Sequence, residues 1–167
     1  SRHAIVEGNF AHDNIRGILV FITPGLPIKT TYDVIVRNNF VIGNNHPNFG
    51  AAGSIVAGVP AGTGMLIMAA DDVKIEGNII RGNDNVGIGI TDHGHASNLT
   101  LDPEAEPNAD QISILGNTMQ DNGRHALDEI KALMLTKLVT EGADIVRVGE
   151  SKGSCILDGE EHLTFGL

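Results

Sequence analysis

Residues 73–90, VKIEGNIIRGNDNVGIGI, hold the least interrupted copy of a unit that the chain writes several times. Apolar and polar residues alternate through Val73 and Ile75 and then stop at Gly77 and Asn78. Period-two alternation marks a strand with one buried face. A second short strand follows at Ile79, Ile80 and Arg81, then the polar bend Gly82-Asn83-Asp84-Asn85, then a third strand from Val86 to Ile90. Three short strands and three bends make one coil of about 20 residues, which buries its inner face only by stacking on neighbouring coils.

The opening phrase of this unit recurs at Ala4-Ile5-Val6-Glu7-Gly8-Asn9, Val34-Ile35-Val36-Arg37-Asn38-Asn39 and Ile112-Ser113-Ile114-Leu115-Gly116-Asn117. Each copy carries a second asparagine five residues on, at Asn14, Asn44, Asn83 and Asn122. Repetition in both pattern and register predicts an all-β solenoid, a parallel β-helix of about four coils. Asparagine tolerates the left-handed conformation of a sharp bend, and identical amides stacked coil on coil hydrogen-bond along the array. Asn9, Asn39, Asn78 and Asn117 are therefore expected to be ladder residues, with sugar-binding amides as the competing reading.

The phrases start 30, 39 and 39 residues apart, so most turns exceed a minimal coil. The surplus falls at residues 22–32, 45–63 and 91–110 and is expected to form loops bordering one face, the usual binding face of a repeat array. After Asn122 the phrase stops. Leu127, Ile130, Met134 and Leu138 lie at helical spacing behind Asp128 and Glu129, predicting a helix over about 125–140 that ends by Gly142. We divide the chain into coils at 1–123 and a capping helix with a tail at 124–167, within one domain. The strand-like pieces 144–148 and 155–158 have no assigned place. A repeat already running at Ala4 leads us to expect a missing N-terminal part, because solenoids usually begin with an atypical cap.

Composition narrows the partners. A net charge of −10 repels a phosphate backbone, so nucleic acid is disfavoured. No apolar run reaches the roughly 18 residues of a membrane span. The lone Cys155 forms no internal disulfide and leaves the compartment open.

The phrases IEGNIIRGNDNVGIGI, GAAGSIVAGVPAGTGMLIMAADDVKIEGN and SILGNTMQDNG resemble the bacterial right-handed parallel β-helix repeat proteins of the pectin-lyase-like class, over about residues 4–123. The resemblance implies a secreted, periplasmic or cell-envelope protein and a polysaccharide or oligosaccharide partner. The wider class includes polysaccharide lyases, glycoside hydrolases and uronate epimerases.

Candidate chemistry lies in the loops. Placing Ile18, Val20, Met65, Ile67, Ile88 and Ile90 inward leaves Leu19, Phe21, Leu66, Met68, Gly87 and Gly89 outward, with no titratable group for acid–base work. That face is expected to be covered, by the 45–63 loop or the helix. Asp92, His93 and His95 place a carboxylate and two imidazoles within four residues and are the candidate catalytic or metal-binding set, against a reading as solvated loop residues. His46, with Arg37 and Arg81 as basic residues on successive coils, are candidate contacts for an acidic sugar. Asp102, Glu104, Glu106 and Asp110 offer oxygen ligands for Ca²⁺, although such acidic runs are commonly solvated loops. Asp71 and Asp72 are read as turn residues, and Asn98-Leu99-Thr100 fits a glycosylation acceptor. Three functions stay open: a carbohydrate-binding or processing module, a structural or adhesion solenoid with exposed coil edges that could oligomerise, and a uronate lyase or epimerase.

Overall fold

The computed structural model describes residues 1–96, 99–157 and 161–167. Its strands form three parallel sheets, because each coil contributes one strand to each. The first coil holds β1 (Arg2–Glu7), β2 (Phe10–His12) and β3 (Arg16–Phe21). The second holds β4 (Tyr32–Arg37), β5 (Phe40–Ile42) and β6 (Thr63–Met68), and the third β7 (Asp71–Glu76), β8 (Ile79–Arg81) and β9 (Val86–Thr91). The fourth holds β10 (Ser113–Leu115), β11 (Thr118–Gln120) and β12 (Ile145–Val148). Two-residue strands β13 (Cys155–Ile156) and β14 (Thr164–Phe165) begin a fifth. The sheet orders are β1-β4-β7-β10-β13, β2-β5-β8-β11 and β3-β6-β9-β12-β14.

The tail pieces thus find their place: β12 pairs with β9 and β13 with β10, so the coil pattern runs on past residue 123. Helix α1 is shorter than its apolar spacing predicts, spanning Asp128–Leu135 with Thr136 as its C-cap. Leu138 lies outside it with φ 55° and its side chain almost wholly exposed. The chain must return to the corner it left at Asn122 in order to enter β12, and a longer helix would carry it away. Met134, fully buried with Val86, Ala126, Val146 and Phe165, anchors the helix to the third sheet. No helix among the described residues is long and apolar enough to cross a membrane.

Inside the coils the inward residues stack in register. Val34, Val73 and Ile112 at one level, Val36, Ile75 and Ile114 at the next, and Met65, Ile88 and Ile145 opposite them form one continuous core. Each such side chain contributes about 1.5–3 kcal/mol by leaving water.

The corners are held by two amide ladders. Asn9, Asn39, Asn78 and Asn117 form one: each of the first three donates both its backbone N–H and its Nδ2 to the Oδ1 of the asparagine in the next coil, at 2.9–3.0 Å. Asn14, Asn44, Asn83 and Asn122 form the second in the same sense, at 3.1–3.3 Å. The second ladder dictates a column of glycines. A Cβ on Gly87 would stand 3.1 Å from Asn122 Nδ2 and 2.6 Å from the Asp144 carbonyl oxygen, so the amide occupies the room a side chain would need. One coil further, Asp144 follows Gly87 in this column. Its Oδ1 accepts from Asn122 Nδ2 at 3.0 Å and its Oδ2 from the Leu163 N–H at 3.2 Å. A carboxylate, which only accepts, thereby ends a run of donating amides.

Asn78 is fully buried, and its removal strands Asn39 N–H and the Val36 and Asn117 acceptors. Asn78→Ala is expected to cost roughly 3 kcal/mol or more in urea unfolding, whereas Asn9→Ala, at the exposed first rung, is expected to cost about 1 kcal/mol or less. Equal losses at the two positions would contradict a ladder whose strength comes from burial.

Candidate functional site

The insertions leave the coils only at the two ends of the third sheet. Residues 22–31 and 92–112 follow β3 and β9, whereas residues 43–62 and the α1 segment precede β6 and β12. They rise on both sides of that sheet's outer face, which is covered as expected from its apolar residues. Leu66, Met68 and Ile22 pack with Leu19, Phe21, Val59, Ala96 and Leu99, so the 43–62 and 92–112 loops both contribute, and α1 adds its own cluster.

Two of the concave sites on this side carry candidate chemistry. The first is an open basin of about 610 Å³ beside β3, lined by residues that include Asp13, Asn14, Arg16, Leu19, His46 and Phe49. Strand β3 supplies Arg16, whose Nε donates to the Val59 carbonyl at 2.8 Å, with Nη2 on the same oxygen. Burial lowers its pKa without threatening its charge. The 43–62 loop is pinned by the His46 N–H on the Asn14 carbonyl at 3.0 Å and by Asn48 Nδ2 on the Ala57 carbonyl at 2.9 Å. It carries Phe49, which is 84% exposed.

The second site is a groove of about 390 Å³ between the loops and α1, floored by Leu66, Met68 and Gly89 and walled by Leu99, Ile130 and Val148. His95 and Glu129 are its titratable lining residues among those described. His95 Nδ1 lies 2.8 Å from Asp92 Oδ1, which also accepts the His95 N–H at 2.8 Å. Burial pushes the Asp92 carboxyl upward, but the hydrogen bonds from His95 and from the Glu150 N–H outweigh it, so its pKa is lowered. Gly149, with φ 101°, is required here because any Cβ would overlap Asp92 Oδ2.

The remaining candidates are dispersed. His93 does not join His95: it is 2% exposed and its Nε2 lies 2.8 Å from the Ile22 carbonyl, tying two loops together. Arg37 and Arg81 do not form one track, since Arg37 stands on the first sheet paired with Glu7 (3.0 Å) and Arg81 on the second. Glu76 is the third-coil residue in register with Arg37. Among the acidic run, Asp102 accepts from Lys29 Nζ at 2.6 Å and from the Gly25 and Glu104 N–H groups, and these bonds lower its pKa to about 2. Glu104 faces the same lysine at 3.7 Å, Glu106 accepts from the Asn108 N–H, and Asp110 accepts from the Lys152 N–H. No group of three metal-ligating side chains converges among the described residues. Asn98 of the glycosylation motif lies outside the described residues.

Over residues 1–103 the chain matches the model of the right-handed β-helix region. It belongs to the right-handed β-helix family. No curated protein and no solved structure matches it. Within this β-helix, Arg16, Phe49 and Glu129 are the site residues that sequence reasoning passes over. One signal was available: Phe49 is one of only six aromatic residues and sits in a polar loop, where nothing in the coil pattern calls for it.

Asp71 gives a test of the acidic corner beside the 92–112 loop. Burial raises its pKa, the Asp110 N–H bonded to Oδ1 opposes this, and the charges of Asp110, Glu106 and Asp72 raise it further. The ionised form is therefore disfavoured by folding. Asp71→Asn keeps the acceptor and is expected to raise Tm at pH 7. The gain should shrink as pH falls through the raised folded-state pKa and vanish below about pH 4, where the unfolded aspartate is protonated too. A constant difference from pH 3 to 8 would contradict this origin.

Proposed function

We propose that this β-helix is a saccharide-binding module of a secreted or cell-envelope protein, holding an oligosaccharide or polysaccharide in the Phe49 basin. The observation that carries the reading is one exposed aromatic ring beside a guanidinium, an amide, a carboxylate and an imidazole in one open concavity. An aromatic face takes the C–H side of a pyranose ring, and planar polar groups exchange hydrogen bonds with its hydroxyls. Arg16 uses two of its N–H donors on Val59 and keeps others for a ligand. The basin is open and runs beside β3, so a bound chain can extend beyond the residues that line it. Affinity electrophoresis against neutral and uronate-rich polysaccharides is the direct measurement. Phe49 packs little and Phe49→Ala should leave Tm unchanged while weakening retention about tenfold, equivalent to about 1.4 kcal/mol. Retention by the variant equal to that of wild type, or no retention by wild type, would remove the reading.

A second reading, a structural or adhesion solenoid, has its own observation. On the second sheet Phe10 and Phe40 stand in register with ring centroids 5.8 Å apart, 60% and 44% exposed. An exposed aromatic pair on the outer face of the second sheet suits contact with protein, including a second copy of the chain. Sedimentation velocity checks it: self-association abolished in Phe10→Ser/Phe40→Ser supports this reading, and a monomer at all concentrations weighs against the second copy.

A further inference from the structure

The groove under α1 differs chemically from the Phe49 basin. Its floor and walls are mostly aliphatic, with Thr63, Asn85 and Thr91 as uncharged polar members, and its titratable lining among the described residues is His95 and Glu129. Asp92, 8% exposed, accepts from the His95 ring, the His95 N–H and the Glu150 N–H, so it is held in place and ionised. An ionised carboxylate only accepts, which puts the imidazole proton on Nδ1 and leaves the lone pair on Nε2. The His95 side chain is about half exposed and lines the groove, so this lone pair belongs to a base oriented by a buried carboxylate at the mouth of an apolar cavity. A structural link alone does not account for the arrangement, because His93 next door already ties the loop to Ile22 from the inside.

The groove's composition selects the reaction. Elimination or epimerisation at a uronate needs a cation to neutralise the substrate carboxylate, and no lysine or arginine lines the groove among the described residues. Glycoside hydrolysis uses two carboxylates flanking the bond, and one is present. No serine or cysteine accompanies the imidazole in that lining, and its threonines, Thr63 and Thr91, donate their hydroxyl protons to the Pro60 and Asp92 carbonyls, so the base acts on water.

We propose that His95, positioned by Asp92, activates water for the hydrolysis of uncharged acyl esters whose aliphatic acyl chain lies along Leu66, Met68 and Val148. His95 Nε2 takes a proton from water as the water oxygen bonds to the ester carbonyl carbon. The tetrahedral intermediate collapses with cleavage of the bond between that carbon and the alcohol oxygen. His95 then returns the proton to the leaving alkoxide. The products are a carboxylic acid and an alcohol, and no redox partner is required. His95 is the catalytic residue. Asp92 is a positioning residue, and Gly149 leaves it the space to be one. The site is separate from the Phe49 basin, so the proposal and the saccharide reading fail independently.

The test uses the whole chain and p-nitrophenyl esters from acetyl to decanoyl. Expected is turnover above buffer that rises beyond the acetyl ester, with kcat/KM falling about 100-fold or more in His95→Ala. Asp92→Asn should lower kcat more than KM, a split that a merely structural role for Asp92 would not produce. His125→Ala is the control, because His125 forms an equivalent surface pair with Asp84 at 3.2 Å away from the groove lining and exposed imidazoles cleave such esters weakly. Absence of turnover in folded wild type, or equal losses in His95→Ala and His125→Ala with circular dichroism unchanged, would overturn the proposal.

Discussion

Every coil of this molecule sits one strand spacing, about 4.8 Å, from the next, and the asparagine amides enforce that spacing at two corners. An amide is long enough to donate to its neighbour's oxygen only when the coils are in register. Sheet hydrogen bonds alone tolerate slippage more readily, because any backbone offers the same donors and acceptors. The ladders therefore act as the registration marks of the stack, and the apolar core inherits its alignment from them.

Much else follows from leaving room for those amides. Gly64 and Gly87 lie where Asn83 and Asn122 press against the backbone of the third sheet. The bends next to the ladders take positive φ at Gly8, Asn38, Gly77 and Gly116 in one column and at Asp13, Gly43, Gly82 and Asp121 in another. Additional chain can leave only at the ends of the third sheet, beyond the ladder corners. That restriction puts the insertions and the helix along one face and builds both concavities there.

The same logic explains what the sequence discloses. The coils are legible because a ladder residue must be asparagine at a fixed distance from its strand, so structure is written in both residue type and register. Strands β12–β14 are not legible as coil members, because the second ladder has ended at Asp144 and no asparagine announces them. The helix end is hidden for a different reason: Leu138 continues the apolar spacing, but the return to the sheet decides where the helix stops. In the site, the Asp92–His95 contact is local and readable, whereas the meeting of Arg16 with Phe49 depends on a second-coil loop reaching back over the first. The separation of Arg37 from Arg81 was readable: aligning the repeated phrase sets Arg37 opposite Glu76.

Asp144 has a bearing on how such arrays change length. The second and third internal spacings are both 39 residues, so a coil with its insertion is a unit that gene duplication or loss can copy or delete without disturbing the amide register. The acceptor-only carboxylate stands where the asparagines of the second ladder stop and receives whatever amide precedes it. Copying or losing a unit upstream of that aspartate would leave it an amide of the same kind to accept from.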